Sequence, residues 1–205
     1  RQLILPAPPT PRALAMTAYA DLDLSVLDEL PPGRQPIETV AMPEARRGEV
    51  VARIRQDCAA GRQAYWVCTL IEESEVLEAE AAEATAARLR ASLPGIAVGL
   101  VHGRMRPGDR DAVMAAFQAG DVRLLVATTV VEVGVDVPRA SLMVIENAER
   151  LGLAQLHQLR GRVGRGSERS TCVLLYRGPL SETARRRLSV IRRHTDGFAI
   201  AEADL

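Results

Sequence analysis

Three arginines stand within six residues in the segment Gln155–Gly166 (QLHQLRGRVGRG): Arg160, Arg162 and Arg165. Gly161 and Gly164 separate them, and Gln158 precedes them. A guanidinium stays charged at any working pH and presents a rigid planar fork of donors that matches phosphate oxygens. Glycine allows close backbone approach and backbone angles closed to other residues. Basic residues at a helix end usually decorate a solvated surface. The ordered spacing Gln158-x-x-Gly161-Arg162-x-Gly164-Arg165 points instead to guanidinium groups held against a polyphosphate.

A second cluster has the same character. Thr128-Thr-Val-Val-Glu-Val-Gly-Val-Asp-Val-Pro138 follows an apolar run and combines two hydroxyls, two carboxylates and a glycine. Thr128 and Thr129 can donate to phosphate or sugar oxygens, Asp136 can accept from a ribose hydroxyl, and Gly134 permits close approach. Taken alone, this loop reads equally well as a capped turn. His102-Gly103-Arg104-Met105 puts a basic side chain and a flexible backbone at another strand end. A lone histidine there is commonly structural, but Gly103 and Arg104 beside it favour an anion contact. Arg185-Arg-Arg187 and Arg192-Arg193 read as a solvated helix face, with a DNA-backbone contact as the minority reading. Asp28-Glu29 imitates the acidic end of a magnesium-binding ATPase strand. The phosphate loop Gly-x-x-x-x-Gly-Lys-[Ser/Thr] that must accompany it cannot exist here, because the chain has no lysine, and the pair reads as a surface turn before Pro31-Pro32.

These residues need a scaffold. A chain of 205 residues suits one domain with appendages, and at that size roughly 70% of the unfolded surface can be buried. Net charge is zero, from 26 arginines against 26 acidic residues, so no global field attracts nucleic acid and anions must be met by local patches. The three cysteines, Cys58, Cys68 and Cys172, show no metal-ligand spacing; Cys68 and Cys172 lie in apolar runs and read as buried thiols in a reducing cytosol. No apolar stretch of about 18 residues and no signal peptide is present, so neither a membrane partner nor export is expected.

Residues 1–48 are rich in proline and poor in periodicity, with a short helix allowed near Arg12–Ala20 and an edge strand at Ile37–Met42. From Gln63 onward strands and helices alternate. Strands are expected at 37–42, 64–70, 97–101, 122–127, 142–146 and 171–176. Helices are expected at 44–60, 73–92, 109–119 (with Pro107 in its first turn and Gly120 ending it), 153–159 and 181–195. Alternation with apolar, β-branched strands implies an α/β fold: a mostly parallel sheet in three layers, helices on both faces, and sites at the carboxyl ends of the strands. On that rule residues 102–105, 128–136 and 146–152 share one rim, and the tips of Arg162 and Arg165 share a strand-end ledge with Asp136.

Thr128–Asp136 and Gln158–Arg165 resemble motifs V and VI of superfamily 2 helicases, in the second of their two RecA-like lobes. The longer run from Val101 to Gly166, together with 17–34, 63–75 and 196–205, is similar to the RecG family of bacterial DNA helicases. The transcription-repair coupling factor family shares the stretch 152–165. The resemblance implies a three-layer RecA-like lobe over 36–178, a lead-in over 1–35 that ends the first lobe, and a helical extension over 179–205. It implies Arg165 as the arginine finger, Arg162 as its companion near the γ-phosphate, and Gln158, Gly134 and Asp136 as ATP contacts. Thr128, Thr129, His102, Gly103 and Arg104 would face DNA. Mg-ATP would be shared with a first lobe carrying the phosphate loop, the partner would be branched double-stranded DNA, and the setting the bacterial cytoplasm. This chain alone would not hydrolyse ATP. One departure stands out: the family pattern Thr-Ala-Thr-Pro ahead of Thr10 is replaced by Pro6-Ala7-Pro8-Pro9. Two other readings fit the residues: a non-catalytic module that docks on DNA or on a partner ATPase, and, more weakly, a nucleotide or phosphotransfer enzyme, for which no nucleophile-and-base pair is present.

Overall fold

The computed structural model describes residues 36–69, 74–128, 137–166 and 169–194. The readings at Arg12–Ala20 and Asp28-Glu29 lie outside them, as do Thr129, Gly134 and Asp136.

The described residues form β1 (Ile37–Pro43), α1 (Arg47–Ala59), β2 (Gln63–Cys68), α2 (Glu75–Ser92), β3 (Val98–Val101), α3 (Pro107–Ala119), β4 (Leu124–Thr128), β5 (Ala140–Ile145), α4 (Leu153–Arg160), β6 (Ser170–Tyr176) and α5 (Glu182–Arg193). The strands make one six-stranded sheet in the order β1-β6-β5-β2-β4-β3, and every described pairing is parallel. β2, β4 and β5 are buried at every position, which explains their unbroken apolar runs.

Connection handedness sets the layers. From β1 to β2 and from β2 to β3 the chain steps one way across the sheet through α1 and α2. From β3 to β4 and from β5 to β6 it steps back through α3 and α4. Right-handed crossovers in opposite directions put the two helix sets on opposite faces. The core divides accordingly. Val50, Ile54 and Cys58 of α1 and Ala82, Ala86 and Leu89 of α2 pack with Trp66 and Val126 on one face. Phe117 of α3, Leu153 and Leu156 of α4, and Leu188 and Ile191 of α5 pack with Tyr65, Val67 and Leu174 on the other. Each of the valine, leucine, isoleucine and phenylalanine side chains among them, fully buried, contributes about 1.5–3 kcal/mol. Edge-to-face contact of Tyr65 and Phe117 at 4.9 Å adds to the second face.

The ends of the elements follow their residue chemistry. Pro107 opens α3, where its missing N–H is no loss, and Gly120 closes it at φ 88°. Ser181 caps α5, its Oγ accepting from the Ala184 N–H at 3.1 Å. Thr128, expected in the loop, is the last residue of β4, because it pairs with Cys68 of β2.

All three cysteines are free and buried. Burial raises the Cys58 thiol to about 11, reinforced by the neighbouring Asp57, and the Cys172 thiol to about 12. Burial, then the charge of Glu146, pushes Cys68 up as well. A raised thiol pKa means protonated, unreactive sulfur at pH 8. The native protein should therefore resist a thiol-reactive dye at pH 8 and release all three equivalents only in denaturant. Fast labelling of the native state would contradict this core.

Candidate functional site

The arginine segment leaves α4 at its carboxyl end. Leu153, Leu156 and Arg160 face the core, so Gln158 falls on the exposed face. The Arg160 side chain is 3% exposed and turns inward. Its Nη1 donates to the carbonyls of Ile191 (2.7 Å) and His194 (2.8 Å), and its Nη2 lies 3.1 Å from His157 Nδ1. Burial lowers its pKa. Arg160 is thus a clasp between α4 and the end of α5 and stands apart from any external anion. Arg162 is half-buried and Arg165 exposed.

The glycines of the segment differ in role. Gly161 has φ −66°, ordinary helical geometry. Gly164 has φ 76°, and a Cβ there would lie 2.8 Å from Ile37 Cγ1. A Cβ on Gly166 would come 2.5 Å from the carbonyl oxygen of Pro138. Ile37 opens β1, and Pro138 lies just ahead of β5. The segment 162–166 therefore sits at the amino ends of the strands. The strand-end rule led to the opposite expectation for the arginines. The reason is direction: α4 begins past the carboxyl end of β5 and runs back along the sheet, delivering the arginine-bearing turn at its end to the far edge.

Thr128 ends β4 on the carboxyl rim, whereas Pro138, just ahead of β5, lies against Gly166 on the arginine edge. Across a five-residue strand, at about 3.3 Å per residue, the rims are roughly 17 Å apart.

On the carboxyl rim, Gly103 and Arg104 are exposed, but His102 is 7% exposed. Its Nδ1 accepts from the Arg104 N–H (3.3 Å), and its Nε2 lies 3.2 Å from Glu83 Oε1. Thr128 is 3% exposed, with no partner for its hydroxyl among the described residues. A cleft of about 520 Å³ opens on this rim between the ends of β2 and β5, lined among others by Thr69, Thr85, Arg88, Asn147 and Arg150. Here the connections leaving β2 and β5 turn to opposite faces, the place where parallel sheets open a crevice. Its floor is held by Thr69 Oγ1 donating to the Glu146 carbonyl, by Asn147 Nδ2 donating to the Thr69 carbonyl at 3.2 Å, and by an Arg47–Glu146 ion pair. Arg47 also stacks on Trp66 at 4.6 Å. Arg88 and Arg150 are single arginines on separate elements and carry no spacing signal in the sequence. Of the α5 arginines, Arg187 turns inward to the carbonyls of Leu151 (2.9 Å) and Glu149 (3.0 Å), while Arg185, Arg186, Arg192 and Arg193 are exposed, as a solvated face requires.

The residues at the arginine edge fit a nucleotide phosphate: donor-only side chains on a backbone whose turns exclude a Cβ. No group of three or more His, Cys, Asp or Glu side chains that could hold a metal occurs among the described residues. No helix among them is long and apolar enough to cross a membrane.

A family model described as the helicase conserved C-terminal domain matches residues 46–167, from the start of α1 to just past the arginine segment. This chain belongs to that helicase family. The helicase match includes both rims. The chain is 67% identical over all of its 205 residues to the ATP-dependent DNA helicase RecG of Escherichia coli K12, and 48% identical over 99% of its length to that of Thermotoga maritima. It spans 30% and 26% of those relatives' lengths. A solved structure of RecG bound to a three-way DNA junction superposes with TM-score 0.78 at 46% identity, covering 96% of this chain and 25% of that one. The Saccharomyces cerevisiae protein Dbp5, bound to RNA and ADP BeF3, superposes with TM-score 0.58 at 17% identity, covering 91% of this chain and 46% of that one; this likeness speaks for the fold alone. The fold is the RecA-like α/β lobe of the helicases.

Proposed function

We propose that this chain serves as the second motor lobe of a RecG-like, ATP-dependent translocase that remodels branched double-stranded DNA in the bacterial cytoplasm. The observation that carries this reading is the 67% identity to E. coli RecG across the whole chain, with the arginine segment inside the helicase match. In this reading Mg-ATP is the substrate, and a first lobe supplies the phosphate loop and the magnesium ligands. Arg165 reaches the γ-phosphate as arginine finger, with Arg162 beside it, and Gln158, Gly134 and Asp136 complete the nucleotide contacts. The carboxyl rim, with Gly103, Arg104 and the strand end at Thr128 and Thr129, faces the DNA backbone. Contacts of this kind weaken as salt rises and do not select sequence.

Opposite placement of the two rims supports a coupling role. The described ends of the β4–β5 connection, Thr128 and Val137, lie on opposite rims, so closure of the arginine edge on nucleotide would be passed to the strand end that faces DNA. Repeated closing and opening would then move the lobe along the duplex and regress a stalled fork.

Reconstitution tests the reading. The purified chain, with branched or linear DNA and ATP, is expected to show no DNA-stimulated hydrolysis, since it has no lysine for a phosphate loop. Adding a separately produced first lobe should restore hydrolysis, more with branched than with linear DNA. Turnover by the chain alone, or none with both lobes, would contradict the assignment.

A further inference from the structure

The turn at His102–Met105 joins β3 to α3. Its backbone closes with the Met105 N–H donating to the His102 carbonyl at 3.2 Å. The His102 ring closes it a second time, Nδ1 accepting from the Arg104 N–H at 3.3 Å. A side chain that takes the N–H two residues on mimics a turn hydrogen bond and holds the chain between. With Nδ1 as acceptor, the ring proton of the neutral imidazole sits on Nε2 and is directed at Glu83 Oε1, 3.2 Å away. Glu83 lies on α2, a different helix from the one the turn feeds. The result is a bridge from α2 through an almost buried ring to the backbone nitrogen of an exposed arginine.

We infer that His102 is a positioning residue, held by Glu83, that fixes the backbone of Arg104 so that the Arg104 guanidinium is presented to the DNA phosphates on the carboxyl rim. The inference rests on the reading of that rim as the DNA face, and it replaces the expectation that His102 touches DNA itself. The ring is 7% exposed and both of its nitrogens are engaged within the lobe, whereas Arg104 is exposed. Glu83 carried no signal in the sequence, because its partner lies 19 residues away across a helix and a strand.

Two near-isosteres separate the ring's two nitrogens. Asparagine places an amide oxygen where Nδ1 sits; glutamine places an amide nitrogen where Nε2 sits. In the full-length two-lobe enzyme, His102→Gln loses the acceptor for Arg104. It should speed amide hydrogen exchange at Arg104 about fivefold, the loss of roughly one hydrogen bond. The half-saturating concentration of fork DNA should rise by a similar factor, with the loss falling there rather than on turnover at saturation. His102→Asn should recover both. Arg104→Ala should raise half-saturating DNA and flatten its dependence on the logarithm of salt by about 0.9, one phosphate contact. Adding His102→Gln to Arg104→Ala should then change DNA saturation no further, as residues acting in series do. Glu83→Ala should move the Arg104 amide in the same direction as His102→Gln, which keeps the test open if a His102 variant folds poorly. Full additivity of His102→Gln and Arg104→Ala would make His102 an independent DNA contact and overturn the inference, as would an Arg104 amide that exchanges unchanged in His102→Gln. If the amide responds as expected while DNA fails to stimulate turnover in the wild type, the bridge stands and the reading of the rim falls.

Discussion

Replacing Arg165 by alanine in the two-lobe enzyme is expected to lower DNA-stimulated ATP turnover by about 10³-fold or more, with ATP affinity staying within about tenfold. Where arginine fingers have been measured they are worth roughly 10³–10⁵ in rate, or about 4–7 kcal/mol of barrier. The asymmetry between turnover and affinity follows from when the guanidinium acts. Charge spreads over the transferring phosphoryl group at the transition state, and a fixed planar donor there stabilises it more than the ground state. Arg165 is exposed on the amino edge of the sheet, past a helix end held down by the Arg160 clasp on Ile191 and His194. Steady-state turnover, with nucleotide affinity measured separately, checks the split. Turnover within a few-fold of wild type would remove Arg165 from the role.

The second large effect is expected from a single methyl group. Gly166→Ala would put a Cβ 2.5 Å from the Pro138 carbonyl oxygen, well inside van der Waals contact and against backbone, which cannot swing aside as a side chain can. The two segments must part, by a few tenths of an ångström to about one. Misplacement on that scale can cost about 10² in rate when a catalytic group must meet its target. Gly166 adjoins Arg165, so turnover should fall roughly 10²-fold while the core, untouched, keeps the lobe folded. Gly152→Ala provides the comparison, since a Cβ there meets nothing within 4 Å and the residue has φ −70°. Circular dichroism should find both variants folded, and only Gly166→Ala slow. Wild-type turnover in Gly166→Ala would show that the contact between 166 and 138 does not set the arginine edge.

The layer architecture was readable from residue order because buried parallel strands have few solutions. Runs such as AYWVCTL and VRLLVA have no polar face to offer water, and Pro107 and Gly120 punctuate α3 where backbone chemistry requires. Sheet order and the position of the arginines were less accessible. The strand-end rule describes where loops leave strands, but the arginines come after a helix that runs back, and only its length and direction reveal the far edge. His102 shows a different limit. The residue and its turn were visible, yet whether the ring faces out or in depends on Glu83, supplied by another element. Arg160 likewise reads as one more cation in a basic run until the end of α5 packs against it, and Ile191 and His194 offer their carbonyls.

The most direct test is a structure of the two-lobe enzyme with a nonhydrolysable ATP analogue and a DNA fork. The Arg165 guanidinium is expected at roughly 3 Å from a γ-phosphate oxygen, with Arg162 adjacent and the fork backbone lying along Arg104 on the opposite edge. Nucleotide and DNA meeting the same edge of this lobe, or Arg165 folded back onto its own lobe in that state, would contradict it.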